Sequence, residues 1–104
     1  LNGVVTICSF VSPTITIREH AKRIIGADDL FEVFVDTPLE ECERRDVKGL
    51  YAKARAGEVK DFTGISAPFE APISPDLLLP TVGRSIEETA NELYLSILPR
   101  IARN

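Results

Sequence analysis

Histidine and cysteine are scarce in this chain. Its 104 residues include one histidine and two cysteines, and Cys8 and Cys42 fit no metal-ligand or redox spacing. Zinc sites and disulfide scaffolds need several such residues at close, recurring intervals. We therefore expect no metal site in these residues, two structural thiols, and a reduced, cytoplasmic protein.

Long apolar runs and strong positive charge are also missing. No stretch approaches the about 18 consecutive apolar residues that a membrane-spanning helix needs, and no targeting pattern opens the chain. The formal net charge is -4, whereas nonspecific nucleic-acid binding depends on a broad cationic field. The composition predicts one globular domain that binds neither a membrane nor a nucleic acid.

The glycine-rich loop that cradles ATP phosphates is absent as well. That loop has the pattern G-x-x-x-x-G-K-[ST], in which backbone amides and a lysine surround the phosphates. The segment Gly57-Glu58-Val59-Lys60 does not match it. We therefore assign no catalytic residue within this chain.

Alternating strand and helix patterns predict an α/β domain with a parallel sheet covered by helices on both faces. The predicted strands are residues 3–10, 31–36 and 77–79, and the predicted helices are 17–25, 38–45, 50–56 and 86–101. Thr16, Thr37 and Ser85 are the expected N-caps, the last two within capping boxes.

Polar residues lie at the carboxyl end of each predicted strand. Asp36 is the last residue of the second strand, and Ser12 and Thr81 follow the first and third. Open α/β sheets bind ligands at that edge, so we expect these three loops to face one crevice.

A long basic stretch separates the second and third predicted strands. Six of the twelve basic residues fall between positions 43 and 60, where only Glu43, Asp46 and Glu58 oppose them, so the segment is locally +3. Long irregular loops in compact domains are usually functional. Cations beside a phenylalanine and glycine hinges suit a nucleotide, so we interpret about residues 44–76 as a lid. A solvated amphipathic helix is the alternative interpretation of the charge.

The order of residues in this lid closely resembles that of adenylylsulfate (APS) kinases, which share the P-loop nucleoside kinase fold. The matching segments read D-T-P-L at 36–39, C-E-R-R-D-V-K-G-L-Y at 42–51, K-A-R-A-G-E-V-K-D-F-T-G-I at 53–65 and P-F-E-A-P at 68–72. The resemblance covers nearly the whole chain. It implies that residues 1–104 are the carboxyl-terminal part of one three-layer kinase domain, whose phosphate-binding half lies upstream.

The resemblance also implies a reaction and its site. The γ-phosphoryl group of MgATP would pass to the 3′-hydroxyl of APS, giving 3′-phosphoadenosine 5′-phosphosulfate (PAPS) and ADP, with the Mg²⁺ ligands outside this segment. The segment alone would be inactive. The residues that match APS-binding positions are Val11, Ser12, Arg18, Lys48, Asp61 and Phe62, and those that match ATP-binding positions are Arg45, Thr81 and Arg84.

Several alternatives stay open at individual positions. In some bacterial members the serine that matches Ser12 can be phosphorylated, although Ser12 could also be a simple turn residue. Phe62 could be a packing residue of the folded loop. After Ser-Pro the family usually has Tyr-Arg-x-Asp-Arg, whereas this chain has Thr-Ile-Thr-Ile-Arg and keeps only the second arginine, Arg18.

Rival functions are a non-catalytic PAPS-binding domain of an ATP sulfurylase and a plain interaction module. The partners that the resemblance implies are the upstream half of the domain, a fused or associated ATP sulfurylase, and a second copy in a homodimer. An intact phosphate-binding loop upstream would favour catalysis over the regulatory role.

Overall fold

The structure is a computed structural model and describes residues 3–101. Its elements are α1 (Ile15–Ile25), a 3-10 turn (Ala27–Asp29), β1 (Val33–Asp36), α2 (Leu39–Arg45), α3 (Leu50–Arg55), β2 (Leu77–Pro80) and α4 (Ile86–Ile101). This order confirms the predicted α/β class. No helix among the described residues is both long and apolar enough to cross a membrane.

The two strands form a parallel sheet that brings distant parts of the chain together. Val33 pairs with Leu77 at one end of the sheet and Asp36 pairs with Pro80 at the other. Helix α4 packs on β2, where Leu79 is only 5% exposed. Because the strands are parallel, both carboxyl ends lie at one edge, and the Thr81 amide donates to the Asp36 carbonyl across 3.2 Å.

The predicted first strand at residues 3–10 is wrong for the described residues, since this segment forms neither a strand nor a helix. Its apolar side chains face solvent: Ile7 is 90% exposed and Phe10 is 80% exposed. A strand needs neighbouring backbone to satisfy its hydrogen bonds, and within residues 3–101 β1 and β2 pair only with each other. In the part of the chain that the structure describes, the sheet therefore has two strands instead of three.

Of the three predicted helix N-caps, one is confirmed and two are wrong. Helix α4 has the predicted capping box, because Ser85 Oγ accepts from the Glu88 amide at 3.0 Å and Glu88 Oε1 accepts from the Ser85 amide at 3.2 Å. Helix α1 begins two residues early, capped by the hydroxyl of Thr14 instead of Thr16. Thr37 does not cap α2, because its hydroxyl lies 2.5 Å from the Thr81 hydroxyl.

The lid carries α3 followed by a tight turn. The Phe62 carbonyl accepts from the amides of residues 65, 66 and 67 at 2.8 to 3.0 Å, and the Gly64 amide donates to the Ala67 carbonyl at 2.7 Å. Gly64 has φ of +91°, and an added Cβ would lie 3.2 Å from Leu39 Cδ1. The turn therefore requires glycine at this position.

The hydrophobic core is small. Only Ala54 and Leu79 are buried apolar side chains among the described residues. The radius of gyration is 15.8 Å, compared with about 13 Å for a compact domain of roughly 100 residues. Much apolar surface is thus open, including Val35 on β1 and Leu78 on β2.

Candidate functional site

An open cleft of about 350 Å³ lies between α2, α3 and the Phe62 turn. It has a cationic side and an aromatic side, which is the combination expected of a site for a nucleotide anion. Its lining residues are Thr37, Cys42, Arg45, Asp46, Val47, Lys48, Leu50, Tyr51 and Phe62.

The cationic side is formed by Arg45 and Lys48. The Arg45 guanidinium donates to the Thr81 carbonyl at 3.1 Å and to the Thr81 hydroxyl at 3.3 Å. Its Nε also donates to Glu41 Oε1 at 2.9 Å. Among residues 3–101, no carboxylate pairs with the Lys48 ammonium group, so Lys48 presents the cleft's least neutralised charge.

Glu41 neutralises part of the basic segment. It forms ion pairs with Arg44 and Arg45, which lie three and four residues later on the same helix. Hydrogen bonds from Arg44 first and Arg45 second lower the pKa of Glu41 to about 2, and the same contact raises the pKa of Arg44. The spacing of these residues predicts such pairs, but Glu41 lies outside the 43–60 window on which the charge argument relied.

The aromatic side is a pair of rings. Phe62 meets Tyr51 edge to face, with centroids 4.9 Å apart and an interplanar angle of 77°. Burial raises the pKa of Tyr51, and the neighbouring Cys42 thiol adds to the effect. Such pairs stabilise by about 0.5–1.5 kcal/mol beyond their burial. Tyr51 was not predicted as a site residue, yet it fixes one edge of the Phe62 ring.

Asp46 shapes the connection between α2 and α3. Its carboxylate accepts from the Tyr51 amide at 2.9 Å and from the Ala52 amide at 3.1 Å, so both oxygens cap the start of α3. Its backbone has φ of +20°, which few residues other than glycine adopt. Asp46 therefore sets the position of Tyr51 and, through it, of Phe62.

The predicted ATP-binding residues differ in their relation to the cleft. The Arg45 guanidinium contacts Thr81 beside the cleft. Arg84 lies in the same loop as Thr81, since its amide donates to the Thr81 carbonyl at 3.2 Å, but its guanidinium forms an ion pair with Glu92 at 2.5 Å and donates to the Pro80 carbonyl at 3.0 Å. All three residues thus lie near the carboxyl end of β2, and of the three Arg45 lines the cleft.

The predicted APS-binding residues are also divided. Lys48 and Phe62 share the cleft, and Asp61 is an exposed neighbour of Phe62 with φ of +53°. Val11, Ser12 and Arg18 do not line this cleft, and Val11 is 64% exposed.

The expected single crevice is therefore wrong in part. The loops after β1 and β2 meet at the sheet edge. The Ser12 loop contacts the lid at its far end instead, where the Glu70 amide donates to the Pro13 carbonyl at 2.7 Å.

The cleft has no donor set for a resident metal ion. Within residues 3–101, no three His, Cys, Asp or Glu side chains lie close enough to hold one. The cleft's one carboxylate, Asp46, already accepts from two amides of α3. We therefore assign none of these residues to Mg²⁺.

Comparison with known proteins identifies the family to which this chain is related. The sequence model of the family described as adenylylsulphate kinase matches residues 1–80. The chain belongs to the adenylylsulphate kinase family. The resemblance predicted from the lid residues is thus confirmed.

Curated relatives extend the match over almost all of the chain. An adenylyl-sulfate kinase of Bacteroides fragilis is 61% identical over 102 residues, which are 98% of this chain and 50% of that protein. The bifunctional enzyme NodQ of Rhizobium tropici is 52% identical over 82 residues, which are 79% of this chain and 13% of that enzyme. The chain spans about half the length of the adenylyl-sulfate kinases that it matches.

A solved structure supports the fold. The APS kinase of Mycobacterium tuberculosis, in complex with AMPPNP and APS, superposes with a TM-score of 0.76 at 53% identity. The match covers 83% of this chain and 50% of that one. The P-loop kinase type of α/β fold predicted from the resemblance is confirmed by this neighbour.

Proposed function

We propose that this chain provides the substrate lid of an adenylylsulfate kinase, which transfers the γ-phosphoryl group of ATP to the 3′-hydroxyl of APS. The observation that carries the proposal is the cleft that joins Lys48 and Arg45 to the Phe62 ring in a chain of this family. A relative at 53% identity was solved with APS and an ATP analogue bound.

The proposed residue roles follow from the chemistry of the ligands. Phosphoryl transfer depends mostly on positioning and charge neutralisation. In our proposal Lys48 binds the phosphosulfate anion, and Phe62 stacks on the APS adenine with Asp61 beside it. Arg45 and Thr81 lie toward ATP.

The reaction transfers one group between two oxygens. The 3′-oxygen of APS forms a bond to the γ-phosphorus, the bond to the bridging oxygen of ADP breaks, and the hydroxyl proton is released. Mg²⁺ would enter with ATP and neutralise its phosphates. The groups that hold those phosphates lie outside this chain in our proposal, so the segment alone is inactive.

The positions of Val11 and Ser12 in the proposed site depend on the same resemblance. The backbone of Ser12 has φ of +42°, a conformation that few serines adopt. We propose that the Val11 and Ser12 loop borders APS in the complete domain, and that Arg84 borders the ATP adenine through its loop rather than through its paired guanidinium.

A regulatory, non-catalytic PAPS-binding role is the second candidate, and the comparisons do not favour it. Curated relatives that are 48 to 61% identical bear the name adenylyl-sulfate kinase. The match to a short part of a bifunctional enzyme is compatible with a fused partner domain.

The test is APS-dependent ADP release by the full-length gene product with MgATP. Lys48→Ala should raise the KM for APS by about 10-fold or more, because hydrogen bonds to charged groups contribute about 1.5–3 kcal/mol. Lys53→Ala, an exposed lysine of α3 outside the cleft lining, is the matched control and should behave as wild type. Binding of PAPS without any APS-dependent turnover would refute the kinase assignment and support the regulatory role.

A further inference from the structure

Arg18 and Glu70 join two segments that lie 52 residues apart. The Arg18 guanidinium donates through Nη1 to the Ser12 carbonyl at 2.5 Å and through Nη2 to the Glu70 carbonyl. The Glu70 carboxylate accepts from the Ile15 amide at 2.7 Å, and the Glu70 amide donates to the Pro13 carbonyl at 2.7 Å. We call this set of contacts the Arg18–Glu70 clamp.

The clamp directs Arg18 toward protein groups and away from the cleft. Both terminal nitrogens of its guanidinium bind backbone carbonyls, and its carbon lies 5.6 Å from the centroid of the Phe69 ring. Phe69 in turn stacks on Phe34 of β1, with centroids 6.0 Å apart. These contacts use two of the five guanidinium N–H donors and hold Arg18 at the Ser12 loop, outside the lining of the cleft.

The clamp also supports a backbone conformation that is otherwise unfavourable. Ser12 has φ of +42°, and non-glycine residues persist in this region only where their surroundings fix them. Arg18 binds the carbonyl of this residue, while Glu70 binds the flanking Pro13 and Ile15. The contacts therefore fix the Ser12 loop against the carboxyl end of the lid and against β1.

We propose that Arg18 and Glu70 are positioning residues, which set the Ser12 loop relative to the lid and do not themselves bind APS. This inference rests on the proposed function, because its kinetic consequence concerns the APS site. It replaces the direct APS contact that the family resemblance implied for Arg18.

Kinetics of four variants of the full-length gene product test the proposal. Arg18→Lys should raise the KM for APS about 10-fold while the KM for ATP changes little, because a lysine cannot bind both carbonyls. Glu70→Ala should have the same effect. Glu70→Gln should stay close to wild type, since its side-chain carbonyl can still accept from the Ile15 amide. Arg23→Lys, an exposed arginine on the same helix, is the matched control.

The pattern across the variants separates positioning from direct binding. If Arg18→Lys raises the KM for APS and Glu70→Ala does not, the two residues do not position the Ser12 loop together, and the proposal is wrong. If the variants raise the KM for APS and the KM for ATP equally and also lower the melting temperature, the role of the two residues is purely structural, and the proposal is again wrong.

Hydrogen exchange tests the clamp independently of activity. In Arg18→Lys the amides of Ile15 and Glu70 should exchange at least about 10-fold faster than in Arg23→Lys, because protection depends on local stability. If these two amides exchange at the same rate in Arg18→Lys and Arg23→Lys, the clamp is refuted, even if the wild-type protein turns over APS. A wild type without APS-dependent turnover refutes the proposed function, and faster exchange would then still support the clamp itself.

Discussion

Replacing Phe62 by leucine separates ligand stacking from packing within the lid. Phe62 is half-buried and meets Tyr51 edge to face at 4.9 Å. Leucine keeps most of the apolar contact but removes the aromatic face. The substitution should therefore change both the free energy of unfolding and the affinity for APS, by amounts that have different physical origins.

The two magnitudes can be estimated separately. Loss of the aromatic pair should lower the free energy of unfolding by about 0.5–1.5 kcal/mol. Loss of stacking on the adenine should weaken APS binding by about 1–3 kcal/mol, which corresponds to a roughly 5- to 140-fold higher Kd. At the middle of each range, the loss of APS binding, about 2 kcal/mol, exceeds the loss of stability, about 1 kcal/mol.

Calorimetric titration of APS into the full-length gene product, with thermal unfolding of the same samples, measures both quantities. Phe31→Leu is the matched control, because Phe31 lies 5.4 Å from the Arg100 guanidinium and does not line the cleft. A lower melting temperature with an APS Kd equal to that of Phe31→Leu would show that Phe62 only packs, and would refute the stacking role.

Three further predictions concern the stability of the scaffold. Asp46→Ala should lower the free energy of unfolding by about 1–2 kcal/mol, because α3 loses both hydrogen bonds of its cap; an unchanged denaturation midpoint would contradict the capping role. Because ion pairs lower the pKa of Glu41 from 4.5 to about 2, its stabilisation is present above about pH 4.5 and is lost as the pH falls toward 2. The melting temperature of the wild type should therefore exceed that of Glu41→Gln at pH 6, and the difference should shrink as the pH falls toward 2. A difference that does not depend on pH would contradict the ion pairs. Ser85→Ala should cost about 1 kcal/mol in urea unfolding through loss of the α4 capping box, whereas no change would show that packing alone holds that helix.

Local patterns were sufficient to predict several elements of the fold. The capping box at Ser85 and Glu88 forms because its partners are three residues apart, and the apolar run at 77–79 becomes β2 because it has a partner in β1. The run at 3–10 has the same apolar character but no strand partner among the described residues. Strand formation depends on non-local hydrogen bonds, which the sequence of one segment cannot reveal.

The sequence predicted residues of the candidate site only where they match the order of residues in the family's lid. Lys48 and Phe62 do share a cleft, and the family order had indicated both. The clamp between Arg18 and Glu70 could not be inferred, because it joins segments 52 residues apart through backbone carbonyls that any residue could supply. Thr37 was misassigned as a cap for a similar reason, since its hydroxyl meets Thr81 across the sheet edge.

A chimera offers the most direct test of the proposal that this chain carries the lid of an APS kinase. The 102 matched residues of the Bacteroides fragilis adenylyl-sulfate kinase, 61% identical to this chain, would be replaced by the chain itself. We predict formation of ADP and of a product phosphorylated on the 3′-oxygen of APS, in equal amounts and only when APS is present. A chimera that folds and binds ATP but forms no such product would contradict the account.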